Sequence, residues 1–255
     1  MGHRILYIPK IIKPVIKPVF GLLYNPYAIT DNRKMVSDGW HIVSRDDYFL
    51  ILEMIYGGSL PSTTYYISNG HSLCEEGTLR WYNDIGTDLY GFKAIGSGRR
   101  TDGSADFISL KTTFAMIATG SASGGRIASV FNIPFHLDQI NFTRKDGYGY
   151  IISEKAGYVT RAVKNNTDLT ADGQTGEYTG CDGTKYKTVR IAGIEITSEN
   201  LYETQFQNED IIPWYGASQA NYFTQSEWFD LTTGACCAYN NDVNNVAAGF
   251  SFPDY

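Results

Sequence analysis

Cysteine, histidine and basic charge are all scarce in this chain, and each scarcity removes a class of function. Its four cysteines, Cys74, Cys181 and the adjacent pair Cys236-Cys237, show neither C-x-x-C spacing nor a matched histidine cluster, so no structural zinc site is expected. Neighbouring cysteines seldom bridge each other because backbone geometry resists it, which leaves small buried thiols as the simpler reading. The four histidines, His3, His41, His71 and His136, are scattered. His41 directly follows Trp40 and reads as a packed or hydrogen-bonded residue rather than a base. Lys and Arg number 21 against 27 acids, a net charge of -6, which argues against nucleic acid as a partner. A G-x-S-x-G elbow, an H-E-x-x-H helix and a P-loop are all missing, and Gly96-Ser97-Gly98 lacks the strand-to-helix setting of a phosphate loop. The expectation is a non-enzymatic protein with no cofactor and no metal.

Long apolar runs are missing as well. Residues 1–20, MGHRILYIPKIIKPVIKPVF, carry four cations and no acid, and Pro9, Pro14 and Pro18 interrupt every apolar stretch. A membrane helix needs about 20 apolar residues, and a signal peptide needs an unbroken apolar core with a cleavage site, so neither is expected. The prolines favour an extended arm. A disordered tail is the common fate of such a terminus, but the apolar content favours docking. Arg4, Ile8, Lys10, Ile12, Lys13, Val15 and Lys17 are the candidate anchoring residues.

What the chain has in abundance is glycine (26) and tyrosine (19), with 43% hydrophobic and 19% charged residues. That composition is globular and suits short strands, turns and tyrosine-rich contact surfaces. Ser44-Arg45-Asp46-Asp47 predicts a capped helix start, with Tyr48, Ile51, Leu52 and Ile55 on one face and Gly57-Gly58 at the end. Further helices are expected over residues 225–231 and, more weakly, 198–201. Strands are expected at 127–131, 149–153, 158–163 and 186–191, between turns such as Asn69-Gly70 and Asp182-Gly183. Residues 166–177 are polar and turn-rich and read as a linker. A few helices beside many short strands predict an α+β fold.

Several ordered motifs carry a resemblance. Residues 21–52 hold Leu23-Tyr24-Asn25, Tyr27-Ala28, Asp31, Arg33, Gly39-Trp40-His41 and Ser44. Gly77-Thr78 and Trp81 follow, then Gly91-Phe92, Gly96, Gly98-Arg99, Asp102-Gly103 and the run Gly157 to Arg161. Further on stand Asp182-Gly183, Tyr186, Thr188-Val189, Ile191, Glu199-Asn200-Leu201, Ile212-Pro213, Trp228, Thr233-Gly234-Ala235 and Tyr239 to Asp242. This pattern resembles the Fibrobacter succinogenes major paralogous domain family, with Val43 in place of the usual proline. Residues 113–119 (TFAMIAT) stand where that family carries a tryptophan cluster. The family's closing motifs normally precede its Leu-Tyr-Asn segment, so the chain resembles a circularly permuted member. On that basis residues 21–165 form the domain core and 178–255 a permuted half that completes it.

The resemblance implies a C-type-lectin-like fold whose motif residues are Tyr24, Asn25, Trp40, Trp81, Gly98, Arg99, Arg161, Asn200, Leu201 and Trp228. It also implies occurrence in surface proteins of Bacteroidota and in virion proteins of their phages. The arm and the lack of an export signal favour the virion: a head fibre, capsid decoration protein or tail-fibre component at the particle surface. Such a protein docks on capsid or tail proteins through its arm, forms a homo-oligomer (a trimer favoured), and attaches to host or cell-surface glycan without membrane insertion. A cellular surface adhesin and a sulfatase-modifying-factor-like enzyme are the alternatives. Trp214, Tyr215 and Tyr222 are candidate sugar-stacking residues, although core packing explains them as readily. Asn240, Asn241 and Asp242 offer oxygen ligands for calcium, but an Asx turn accounts for them more simply.

Overall fold

The computed structural model of the chain describes residues 20–102, 107–120, 128–143, 153–215 and 225–241. Over these residues the fold is α+β, with mostly antiparallel strands and few helices. The arm (but for Phe20) and the expected strand at 149–153 (but for Ser153) lie outside the described residues.

The best-formed helix is where the sequence places it. Ser44 caps α2 (Arg45–Tyr56) by accepting the Asp47 amide, the Asp47 carboxylate returns a bond to the Ser44 amide, and Gly57 closes the helix in the left-handed region. Tyr48, Phe49, Ile51 and Leu52 are buried on one face, which packs against β3 (Tyr66–Ser68) and β7 (Ala128–Pro134). Strand β7 is buried along its whole length because it lies between β6 (Thr113–Thr119) and β8 (Gln139–Phe142) in the sheet β3-β8-β7-β6. The TFAMIAT segment is thus a core strand whose Phe114 lies edge-on to Phe92 and Phe131.

Two other sheets join chain segments far apart in sequence. In the five-stranded sheet, β9 (Ala162–Lys164) lies between β2 (Trp40–Ile42) and β12 (Ile194–Thr197), and β11 (Lys185–Ile191) and β10 (Thr175–Thr179) continue it outward. Val163 is the register point that pairs with His41 on one side and Ile196 on the other. In the three-stranded sheet, β14 (Cys236–Cys237) runs antiparallel to β1 (Leu23–Tyr24) and parallel to β13 (Trp214–Tyr215). A short pair, β4 (Ser97–Arg100) with β5 (Phe107–Leu110), forms its own two-stranded sheet, and its Gly98 has φ +62 with no room for a Cβ beside Ile108 O and Leu110 N. One hydrophobic cluster extends from Leu22 to Ala238. Helix α1 (Pro26–Ile29) is capped by Asn25, whose Oδ1 accepts the Ala28 and Ala235 amides while Nδ2 donates to Thr233 O. One side chain therefore ties residue 25 to the strand leading into β14.

Two local expectations change. Residues 198–201 form a bend and coil rather than a helix: Leu201 donates its amide to Thr160 O at 3.0 Å, and the Asn200 side chain is used across the core, so tertiary bonds override local propensity. The expected linker is laced to the sheet, with Thr167 Oγ1 donating to Glu195 Oε2 at 2.7 Å and Arg190 paired to Asp172 at 2.8 Å. Its last residues enter β10. Residues 225–231 do contain a helix, α3 (Gln225–Asp230). No described helix is long and apolar enough to cross a membrane.

Candidate binding cleft

Arg161 lies at the centre of the region that the motif residues build. It is fully buried, and its guanidinium donates to Phe92 O, to Thr197 O and Lys93 O at 3.0 Å each, and to Asn200 Oδ1 at 3.3 Å. The same group lies over the Phe92 ring at 4.0 Å. All of these acceptors are neutral, so the positive charge is satisfied by dipoles rather than by a bonded carboxylate. Burial lowers its pKa to about 9, while the more distant charges of Asp88 and Glu199 act in the opposite direction. Asn200 passes the link onward by donating to Phe20 O at 2.9 Å.

Above Arg161, residues 75–93 form one long loop with closed ends. Cys74 bridges Ala94, Glu75 donates its amide to Ala94 O at 2.9 Å, and Ala94 donates to Leu73 O at 2.8 Å. Inside the loop the buried Trp81 donates Nε1–H to Ala94 O at 3.0 Å. Ordered loops beyond about 15 residues are usually functional. This one presents Leu79, Tyr82 and Leu89 to solvent at 71%, 68% and 68% exposure, and Tyr82 rests beside Phe135.

Between this loop and the β11–β12 sheet lies a cleft of 380 Å³, lined by Glu75, Leu79, Arg80, Ile95 and Lys93 on the loop side and by Gly21, Lys187, Ser198, Glu199, Asn200 and Tyr202 on the other. Arg80 and Glu75 form a two-pronged ion pair across its edge, with Nε donating to Oε2 at 2.6 Å. Lys93 holds φ +53, locked by its amide donating to Asp88 Oδ1 at 2.9 Å and by its carbonyl accepting from Arg161. On β11 Lys187 is fixed by Ser198, whose amide donates to its carbonyl at 2.9 Å.

The remaining motif residues serve the interior. The Tyr24 hydroxyl donates to Glu203 O at 3.0 Å, Trp40 packs on Tyr178 at 4.7 Å, and the buried Trp228 donates to Lys155 O at 2.8 Å with the Arg100 guanidinium over its ring at 4.3 Å. Arg99 pairs with Ile108 in the β4–β5 ladder. His41 has both ring nitrogens against oxygens, Asn165 Oδ1 at 2.7 Å and Asp47 Oδ2 at 2.9 Å. The bond to Asp47 raises its pKa although burial opposes this.

Of the motif residues, Asn200 lines the cleft, and Arg161 bonds to it from the interior. The anchoring residues from Arg4 to Lys17, and Tyr222 and Asp242, lie outside the described residues. Trp214 and Tyr215 form β13. Asn240 has φ 56 within a 3-10 turn, and among the described residues no three His, Cys, Asp or Glu side chains gather as a metal site. The sequence reading missed Lys93, Lys187, Arg80 and Tyr202. Lys93 directly follows the Gly91-Phe92 motif, but nothing in the letters marks a left-handed lysine. The chain was compared with family models, curated proteins and solved structures, and it matches none of them.

Proposed function

We propose that this chain is a non-enzymatic surface module of a bacteriophage particle, a head fibre, decoration protein or tail-fibre component. In this reading the scaffold is C-type-lectin-like and circularly permuted, the module is a homo-oligomer, and it serves attachment to the host. The observation that carries the reading is the loop at 75–93. It is long, closed at its stem, braced from below by Arg161, and it exposes the large side chains of Leu79, Tyr82 and Leu89. Binding loops on rigid scaffolds have this form, and exposed large apolar groups on such a loop favour contact with another surface.

The residues that carry the resemblance support the scaffold part of the proposal. Tyr24, Asn25, Trp81, Arg161, Asn200 and Trp228 each bond the backbone of a segment distant in sequence or close a loop. An enzyme of the sulfatase-modifying type would need a reactive thiol. Cys236 and Cys237 are fully buried in a central strand, and burial pushes the Cys237 thiol up to about 11, so little thiolate is present at neutral pH.

The anchoring part rests on the apolar-basic composition of residues 1–20. Its test is to express the full chain and a form lacking residues 1–19 during particle production and to quantify each in purified particles. Incorporation of the full chain and exclusion of a folded truncated form are expected. Equal occupancy would remove the arm from the account, and recovery of the full chain with the cell envelope instead would favour a cellular adhesin.

A further inference from the structure

The cleft over Arg161 concentrates positive charge in a chain whose net charge is -6. Arg80, Lys93 and Lys187 line it against two carboxylates, Glu75 and Glu199. Glu75 is committed to Arg80 by their two-pronged pair. Glu199 Oε2 accepts from the backbone amide of Lys187 at 3.3 Å. The ammonium groups of Lys93 and Lys187 make no hydrogen bond or ion pair among the described residues. Asp88 feels the charge of Lys93, but its Oδ1 is taken by the Lys93 amide. Beneath them Arg161 adds a buried cation whose bonded partners are all neutral, and a low-dielectric wall extends such a field into a cleft.

The backbone adds an independent sign. Lys93 occupies the left-handed region at φ +53, where glycine would rest without strain and a lysine does not. Lys93 is one of nine described non-glycine residues with positive φ, and strain of this kind persists where the surroundings over-determine it. Here Arg161 and Asp88 hold the backbone in place, and the result is a lysine in the cleft wall. The volume of 380 Å³ falls in the range of small-molecule sites and exceeds what a simple inorganic anion fills. Leu79 and Tyr202 supply apolar and aromatic borders, and Ser198 a hydroxyl.

We propose that this cleft is a subsite for the carboxylate of an acidic sugar, with Lys93 and Lys187 taking its charge and Leu79 and Tyr202 bordering its ring. The proposal rests on the attachment reading and narrows it from glycan in general to glycans carrying uronic-type acids.

Calorimetric titration of the full chain with a trigalacturonate, and with neutral galactotriose as its uncharged counterpart, tests the assignment. The acidic trisaccharide is expected to bind with an affinity that falls as salt is raised, and the neutral one is not. Lys93→Gly and Lys187→Gln should each weaken binding about tenfold or more, the scale of a lost charge-assisted bond. Lys185→Gln, one position pair away on β11 and engaged with Glu177, should leave it unchanged. Lys93→Gly should also unfold no earlier than the parent, because it removes the left-handed lysine, so lost binding cannot be put down to lost folding. Equal binding of both sugars, absence of binding to the acidic one, or full affinity in the Lys93→Gly, Lys187→Gln double variant would overturn the assignment. Particle occupancy does not read this cleft, so a failed titration leaves display intact, and a failed occupancy test leaves the subsite intact.

Discussion

Glu203 is another buried charge-bearing residue that shapes the interior, and it behaves oppositely to Arg161. It is fully buried, with Oε2 accepting the Cys181 amide at 3.0 Å and Oε1 without a hydrogen-bond partner among the described residues. Burial first, and the charge of Asp182 second, raise its pKa to about 8. A carboxyl whose folded pKa lies above its unfolded value of 4.5 binds a proton in the folded state that the unfolded chain has released. Stability from this group is therefore full at low pH and declines between about pH 4.5 and 8, by up to about 1.4 kcal/mol per unit. His41, raised by Asp47, contributes in the same direction: its share is present below pH 6.5 and is lost as pH rises through its folded pKa. Denaturant unfolding measured at pH 6 and pH 8 should show lower stability at pH 8. Glu203→Gln, neutral at every pH, should remove most of that difference. If the variant kept the whole slope, the buried carboxyl would not be its source. Gly180 belongs to the same site, since a Cβ there would overlap Glu203 Oε1.

At the scale of elements, α2 is the clearest case of local sequence dictating structure. Ser44 and Asp47 exchange both bonds of a capping box, and Gly57 supplies the left-handed end; all three were readable from residue types and spacing alone. Ser44→Ala should cost about 1 kcal/mol, lowering the unfolding midpoint by about 2–4 °C at this chain length without altering the fold. An unchanged midpoint would mean that packing of Tyr48, Ile51 and Leu52 alone holds the helix. Residues 198–201 show the opposite limit. Their letters allow a helix, but the bonds that set their conformation come from Thr160, Arg161 and Phe20, which a local pattern does not contain. The start of β10 inside the expected linker has the same cause, because Thr175 gains its partner Val189 only once the hairpin with β11 has formed. Lys93 and Lys187 were illegible for a related reason. Each is an ordinary surface lysine by type, and the loop stem and β11 bring them to one cleft.

At the scale of the molecule, the chain folds back on its own beginning. Strand β1 lies beside β14, and β9 is shared between strands from residues 40–42 and 194–197, so both halves contribute to one cluster. The α+β class was legible from strand and turn density together with one strong helix. The sheet orders were not, because pairing partners this distant leave no periodic trace. What the assembled surface offers is a braced loop with exposed apolar side chains beside a cleft lined by Arg80, Lys93 and Lys187, and attachment from a particle surface is the use we assign to it. Antibody raised against the purified chain, applied to intact particles and viewed by electron microscopy, tests that assignment most directly. Regular decoration of the particle exterior, with adsorption to cells blocked by the same antibody, is expected. Undecorated particles that adsorb normally, with the chain recovered only from cells, would contradict it.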